Sequence, residues 1–290
     1  MGKTPATPSV GQALAWAFQR LAEEWSTVRI LSALLVAVML VALWPLYGYY
    51  LELFSALSES PVNLAKYQAI EASDLATIFA IIVSAAGASA IFVLMSRLTD
   101  LDHSALLEGG FIGLRKRALW VAWRLAGAFG FIAVMAIAMM MITIFALIAL
   151  GAVGSHTWPG TGGWVSLILV GTIALFAGIF MVFMAVLGAL SISIYAASRD
   201  LRVGIFETWE ALEGSQWHLV LANIYLYLAL VLAMGLAALL AGAFFEVIGG
   251  LALVIFVVLS SSIGGVYAFL WLTMGAAFAN TALSQRNQPT

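Results

Sequence analysis

The fold of this chain is decided by a run of 29 residues, Leu125–Val153, with the sequence LAGAFGFIAVMAIAMMMITIFALIALGAV. The run contains no Asp, Glu, Lys or Arg. A helix needs about 20 apolar residues to cross a hydrocarbon core about 30 Å thick. Because a charge at the helix centre costs about 3 kcal/mol on the translocon scale, the run predicts a transmembrane helix.

Five further runs are also apolar, free of charged residues and long enough to cross a membrane. Only 9% of the 290 residues are charged and 64% are hydrophobic, whereas a soluble domain carries about 25% charged residues. We therefore predict an all-α polytopic membrane protein with six transmembrane helices in one membrane domain over residues 1–290. The other five predicted spans are Ile30–Leu51, Leu75–Ser96, Val165–Tyr195, Leu219–Phe244 and Leu251–Ala279.

The basic residues fall on one side of the predicted spans. Of the 12 Lys and Arg residues, all but Lys66 lie before span one, after span two, after span four or in the C-terminal tail. Cytoplasmic loops carry an excess of Lys and Arg. We therefore expect a multi-pass protein of the cell inner membrane with both termini in the cytoplasm.

An internal repeat accompanies the spans. A segment that begins at Gly and ends at Trp precedes each odd-numbered span: Gly11–Trp25, Gly110–Trp123 and Gly204–Trp217. Such periodicity is typical of one supersecondary unit that is copied and packed against itself, although chance similarity is an alternative because Gly and Trp are common here. Each predicted unit is a surface amphipathic helix followed by a helical hairpin. The three units cover about residues 11–100, 110–200 and 204–286.

The segments before the odd-numbered spans have an apolar and a polar face. In the first, Leu14, Phe18, Leu21 and Trp25 recur at helical spacing. Helices of this kind lie in the membrane interface with the apolar face down. Two interpretations stay open: connecting elbows, or a docking platform for a soluble partner or for anionic lipid. The candidate cytoplasmic interaction surface combines a basic run with an acidic stripe: Arg115, Lys116, Arg117, Glu207, Glu210 and Glu213.

The segment Phe206–Trp217, which follows Ser198-Arg199, resembles an element of a bacterial membrane-protein family. This family includes the membrane domain attached to some glycerophosphodiester phosphodiesterases and related stand-alone polytopic proteins. The resemblance implies a fold of repeated helix pairs. It does not imply phosphodiesterase activity, because that chemistry belongs to a separate barrel domain and no loop here is long enough to form one.

The sequence contains no pattern of an enzyme active site. It has no Cys and no H-E-x-x-H, G-x-S-x-G or P-loop motif. Asp100, Asp102 and His103 could bind a divalent ion, but their position just after span two favours a solvated helix terminus. We expect a protein that is not an enzyme, with no catalytic residues, metal or cofactor.

The most polar stretch within a predicted span lies half-way along span six. It consists of Ser260, Ser261, Ser262, Gly264 and Gly265. Such residues could line a substrate path in an unwound segment, but they also permit close packing of helices, which we favour. We name this stretch the candidate midplane site.

The predicted function is non-enzymatic. We expect an inner-membrane scaffold, assembly factor or accessory subunit that acts through its cytoplasmic amphipathic helices. Its expected partners are membrane lipids and another membrane or cytoplasmic protein, with no nucleic acid. The alternative is an uncoupled transporter of a small solute or lipid.

Overall fold

A computed structural model of the chain describes residues 8–43, 75–99, 110–154, 161–201, 203–249 and 251–286. Within these residues 93% of the chain is helical and no strand occurs. The described helices are α1 (Val10–Glu23), α2 (Trp25–Leu43), α3 (Leu75–Leu98), α4 (Gly110–Gly154), α5 (Thr161–Ser198), α6 (Ile205–Ala211), α7 (Gln216–Ile248) and α8 (Leu251–Arg286).

Several of these helices have the length and composition of membrane spans. In the described part of the chain, four helices qualify, namely α4, α5, α7 and α8. The pair α1 and α2, which is bent by 86°, counts as a fifth if the pair is one span. In α3 the shorter stretch Ile82–Leu98 is apolar. The described part of the chain is therefore all-helical, with several helices able to cross a membrane.

Three helices form the inside of the bundle. α3, α5 and α8 pack against one another, and each is the second helix of a consecutive pair. The first helices of the pairs lie outside them: α2 contacts α3 and α8, α4 contacts α5 and α3, and α7 contacts α8 and α5. Each outer helix therefore contacts its own inner helix and the inner helix of a neighbouring pair.

Buried side chains concentrate at one end of the bundle. Residues 188–198 of α5 and 268–276 of α8 are all buried. Arg20, Arg97 and Arg117 are also buried here, and we call this the basic end. Away from this end α5 and α7 expose apolar side chains such as Val170 and Leu232, as expected of surfaces that contact lipid.

Small residues let the inner helices approach their neighbours closely. A Cβ added at Gly265 of α8 would lie 2.5 Å from Oγ and 3.1 Å from Cα of Ser32 in α2. At Gly188 of α5 it would lie 2.8 Å from the side chains of Asn223 and Leu219 in α7. Contacts this short leave no room for a side chain, so these glycines fix the helix spacing.

The two described amphipathic helices end for different reasons. α1 begins with a capping box at Ser9 and ends at Glu24, whose carboxylate accepts a hydrogen bond from Nη2 of Arg20. α6 is followed by Gly214, whose φ of +85° is favoured for glycine alone. Both helices lie at the basic end and pack there against α8.

The prediction of a separate surface helix over residues 110–123 is wrong. α4 continues without a break from Gly110 to Gly154, which is 45 residues. No Gly, Pro, Asn or Asp occurs between Leu114 and Ala126, so no residue that favours a helix end separates the amphipathic segment from the apolar run. At 1.5 Å per residue α4 is about 68 Å long, more than a bilayer with its headgroups requires.

Candidate functional site

The helix ends at the basic end are held by arginines from neighbouring elements. Nη2 of Arg20 in α1 donates to the carbonyl of Leu98, the last residue of α3, at 2.7 Å. Nε of Arg97 donates to the carbonyl of Ser198, the last residue of α5, at 3.0 Å. The hydroxyls of Ser96 and Ser198 hydrogen-bond to each other at 3.1 Å. Because the last carbonyls of a helix have no partner within it, these bonds stabilise both helix ends and join them.

Asp200 connects α5 to the basic run of α4. Its carboxylate accepts two hydrogen bonds from Arg117, at 2.8 and 3.0 Å, and lies 3.6 Å from Nζ of Lys116. The hydrogen bond from Arg117, more than the nearby positive charges, holds the pKa of Asp200 below its usual range. The Arg117 side chain is only 10% exposed, so this bond is a partly buried polar contact between α4 and the segment that follows α5.

The backbone conformation at the end of α5 places the Asp200 side chain beside Arg117. Asp200 has a φ of 61°, and the N–H of Leu201 bonds to the carbonyl of Ala196 at 3.0 Å. The N–H of Asp200 bonds to the carbonyl of Ala197 at 3.1 Å, which completes a Schellman motif. Asp tolerates this left-handed conformation better than most residues do. Asp200 was not among the predicted site residues, although its position after Ser198-Arg199 at the end of an apolar run is a local signal for it.

The predicted interaction surface is divided by this contact. Arg117 is buried against Asp200, whereas Arg115 and Lys116 are exposed. Glu207, in the first turn of α6, accepts a hydrogen bond from the N–H of Gly204 at 3.4 Å. The rest of the acidic stripe, Glu210 and Glu213, is exposed on and just after α6.

The tryptophan that ends each repeated segment is exposed in all three cases. Trp25, Trp123 and Trp217 expose 47%, 75% and 67% of their surface. Phe18 on α1 and Phe206 on α6 are also exposed, while the buried face of α1 consists of Ala13, Ala17 and Arg20. Exposed aromatic rings near the start of an apolar run are typical of the belt at the membrane–water interface.

The two glycines of the candidate midplane site have different surroundings. Gly265 is in close contact with Ser32, whereas a Cβ at Gly264 would meet nothing within 4 Å. The hydroxyl of Ser262 donates to the carbonyl of Val258, four residues back, at 2.7 Å, and that of Ser260 donates to Val257 at 3.2 Å. These bonds satisfy the hydroxyls within their own helix, so the serines do not require a polar partner.

Ser260, Ser261 and Gly264 line a cavity of about 580 Å³. Residues of α2, α3, α4, α7 and α8 surround it. Ser84 and Ser89 are polar members of a lining that is otherwise mainly apolar, with Leu35, Met39, Ala85, Ala88, Phe92, Ala122, Leu125, Ala126 and Met234. The size suits a drug-sized ligand, and the lining suits an apolar group.

Among the described residues, no group of three or more His, Asp or Glu side chains could hold a metal ion. Asp100, Asp102 and His103 lie outside the described residues. Comparisons with family models, with curated proteins and with solved structures found no match for this chain. The resemblance of Phe206–Trp217 to the membrane domain of glycerophosphodiester phosphodiesterases therefore stays a prediction.

Proposed function

We propose that this chain is a six-span protein of the cell inner membrane that acts without catalysis, as a scaffold, assembly factor or accessory subunit. The basic end faces the cytoplasm in this proposal, because Lys and Arg concentrate in cytoplasmic segments. In this proposal α2 and α3 belong to the first two spans, which the sequence predicts over Ile30–Leu51 and Leu75–Ser96.

The arrangement of the helices supports a threefold unit in this proposal. Each outer helix lies between its own inner helix and that of a neighbouring pair, and this relation holds for α2, α4 and α7. The unit is a helical hairpin with an amphipathic segment at its start. That segment is a separate helix in the first and third units and the beginning of α4 in the second.

A single observation carries the scaffold role: the basic end is a firmly connected base that presents two amphipathic helices. The hydrogen bonds of Arg20, Arg97 and Arg117 tie α1, α3, α4 and α5 together there. Hydrogen bonds to charged groups contribute about 1.5–3 kcal/mol each. Side chains on a base of this kind, such as those of Phe18 and Phe206, keep a fixed spacing, which suits recognition of a partner surface.

Photocrosslinking in cells tests the scaffold role. A photoreactive residue is placed at Phe18, at Glu213 and, as a matched control on an exposed apolar face of α7, at Leu232. We expect one discrete protein adduct from the first two positions and lipid adducts alone from Leu232. Lipid adducts alone from all three positions would contradict the scaffold proposal.

The cavity at Ser261 favours a second candidate, an uncoupled transporter of a lipid. Its mainly apolar lining does not suit a hydrated ion, which needs polar partners, but it suits an acyl chain. Reconstituted protein would then accelerate the exchange of a fluorescent lipid between leaflets. The variant Gly264→Leu places a side chain in open space beside this cavity and should slow exchange without lowering folded yield. Exchange equal to that of protein-free vesicles would exclude this candidate.

A further inference from the structure

A second cavity, of about 430 Å³, lies at the basic end between α4, the end of α5 and the start of α6. Lys116, Trp120, Trp123, Arg124 and Gly127 line it from α4. Ser193, Asp200 and Phe206 are among the lining residues on the other side. The hydroxyl of Ser193 donates to the carbonyl of Val203 at 3.1 Å, which fixes the chain that closes this side.

Arg124 brings a half-buried cation to this cavity. Its Nη1 is buried and has no hydrogen-bond partner within the described part of the chain. A buried polar nitrogen without a partner is costly, because burial removes the water that would solvate it. An anionic ligand in the cavity that Arg124 lines would compensate the charge of this guanidinium.

The other charged groups of the cavity leave a positive excess. Asp200 is the one carboxylate among the lining residues, and it is already bound by Arg117 and Lys116. One positive charge therefore remains among the lining residues, where Lys116 and Arg124 outnumber Asp200. Such an excess beside tryptophans matches the depth at which phospholipid phosphates lie.

An apolar stripe leads away from the cavity along α4. Gly127, Gly130, Val134, Ile137 and Met141 follow Trp123 at helical spacing, and all five are exposed. A Cβ at Gly127 or Gly130 would meet nothing within 4 Å, so both positions form a shallow, open part of the stripe. An acyl chain attached to a phosphate in the cavity would have an apolar surface to follow.

We propose that this cavity binds the phosphate of an anionic phospholipid, with Arg124 and Lys116 on the phosphate and an acyl chain along the α4 stripe. The proposal rests on the membrane placement described above but not on the scaffold role. The stripe favours a lipid over free phosphate as the source of the anion.

The experiment measures lipid binding to the full chain in detergent by native mass spectrometry. The probes are phosphatidylglycerol, phosphatidylcholine as the zwitterionic control, and inorganic phosphate as a competitor. The variants Arg124→Gln and Lys116→Gln remove the proposed phosphate-binding side chains. Arg115→Gln is the matched control, since Arg115 is exposed on the same helical turn as Lys116 but does not line the cavity. Gly127→Leu fills the beginning of the stripe and should not disturb folding, because its site is open.

We expect the unmodified chain to prefer phosphatidylglycerol. Arg124→Gln removes charge-assisted hydrogen bonds and should weaken the binding of phosphatidylglycerol about tenfold or more. Lys116→Gln and Gly127→Leu should weaken its binding by a smaller factor. Arg115→Gln should change the affinity for phosphatidylglycerol less than about twofold, because an exposed charge contributes little. If Arg124→Gln fails to fold, Lys116→Gln and Gly127→Leu still decide the question.

Two results would overturn the proposal: equal binding of both lipids by the unmodified chain, or an equal loss in Arg115→Gln and Arg124→Gln. Displacement of the lipid by millimolar inorganic phosphate would support the phosphate site with the free anion as a competent ligand. Retention of the lipid under the same conditions would support the lipid as the source. The scaffold role is tested by protein adducts in the crosslinking experiment, whereas this proposal is tested by lipid affinity. Failure of one proposal therefore does not affect the test of the other.

Discussion

Gly264 and Gly265 are neighbours in α8, yet the structure gives them opposite tolerance to a side chain. The variant Gly265→Ala places a methyl group against Ser32, where the nearest backbone atom is 3.1 Å away. We expect a loss of about 1–3 kcal/mol in the free energy of unfolding, the usual effect of overpacking. The matched control Gly264→Ala should be neutral or gain up to about 1 kcal/mol from helix propensity. Thermal denaturation in detergent measures both, and equal melting temperatures would contradict the close contact of α8 with α2.

Asp200 makes the junction of α4 and α5 sensitive to acid. Its pKa is lowered in the folded protein, chiefly by the hydrogen bond from Arg117. Its contribution to stability is therefore present above the usual Asp pKa of about 4 and is lost as the pH falls through the lowered value. We expect Asp200→Asn, which keeps the left-handed backbone favourable, to remove this part of the loss in melting temperature below about pH 4. The effect should be small, because the Asp200 side chain is 41% exposed and water screens it.

The control for this titration is Glu213→Gln, since Glu213 is an exposed carboxylate at the same end of the bundle. That variant should keep the acid dependence of the unmodified chain. An identical acid dependence in Asp200→Asn would show that Asp200 does not contribute to it.

The turn between α6 and α7 contains one glycine in a left-handed conformation. Gly214 has a φ of +85°, while Gly204, which precedes α6, has a φ of −77°. A left-handed conformation costs a residue with a Cβ about 1–2 kcal/mol, and neither position has a neighbour within 4 Å that would add a clash. We expect Gly214→Ala to lower the free energy of unfolding by about that amount and Gly204→Ala, which changes the N-cap of α6, to have a smaller effect. Tryptophan fluorescence during denaturation measures both, and a matching loss in Gly204→Ala would contradict a purely conformational cause.

The long apolar helices could be predicted from the sequence, but the boundaries of the amphipathic segments could not. Charge-free runs such as Leu125–Val153 give α4 and its neighbours directly, because lipid selects for continuous apolar length. The bend between α1 and α2 falls at Glu24 and lacks a glycine, and Arg20 binds both Glu24 and the distant Leu98. A long-range bond of that kind leaves no local pattern. In the second unit the sequence lacks any helix-ending residue between Leu114 and Ala126, which indicates one continuous helix. The Gly–Trp repeat favoured a separate helix there, and that prediction is wrong.

The arrangement of the whole bundle shows which parts of the candidate site were within reach of the sequence. Gly265 could be predicted as a packing residue from its small size in a span. The contact of Arg117 with Asp200 joins residues 83 positions apart and depends on how α5 ends. Likewise, the cavity at Arg124 is formed by three separate elements, so the composition of α4 gave no sign of it.

Membrane topology is the prediction that tests the whole molecule. The six-span arrangement places reporter fusions at Thr7, Ser104, Gly214 and Gln288 in the cytoplasm, and fusions at Ser60 and Thr161 on the opposite side. The reason is charge: Lys66 is the one basic residue in the three opposite loops, whereas 11 of the 12 Lys and Arg residues lie in the segments that stay inside.

Ser60 is the decisive position, because it separates the six-span arrangement from one in which α1 and α2 form a re-entrant loop. If α2 and α3 both cross, a fusion at Ser60 is outside while fusions at Thr7 and Ser104 are inside. If α2 turns back within the membrane, Thr7 and Ser60 report the same side, and the 86° bend between α1 and α2 is then a feature inside the bilayer. An alkaline phosphatase fusion, active only outside, and a green fluorescent protein fusion, fluorescent only inside, give opposite signals at each position. A cytoplasmic signal at Ser60 would therefore exclude six spans and would also place Trp25 within the membrane and not at its surface.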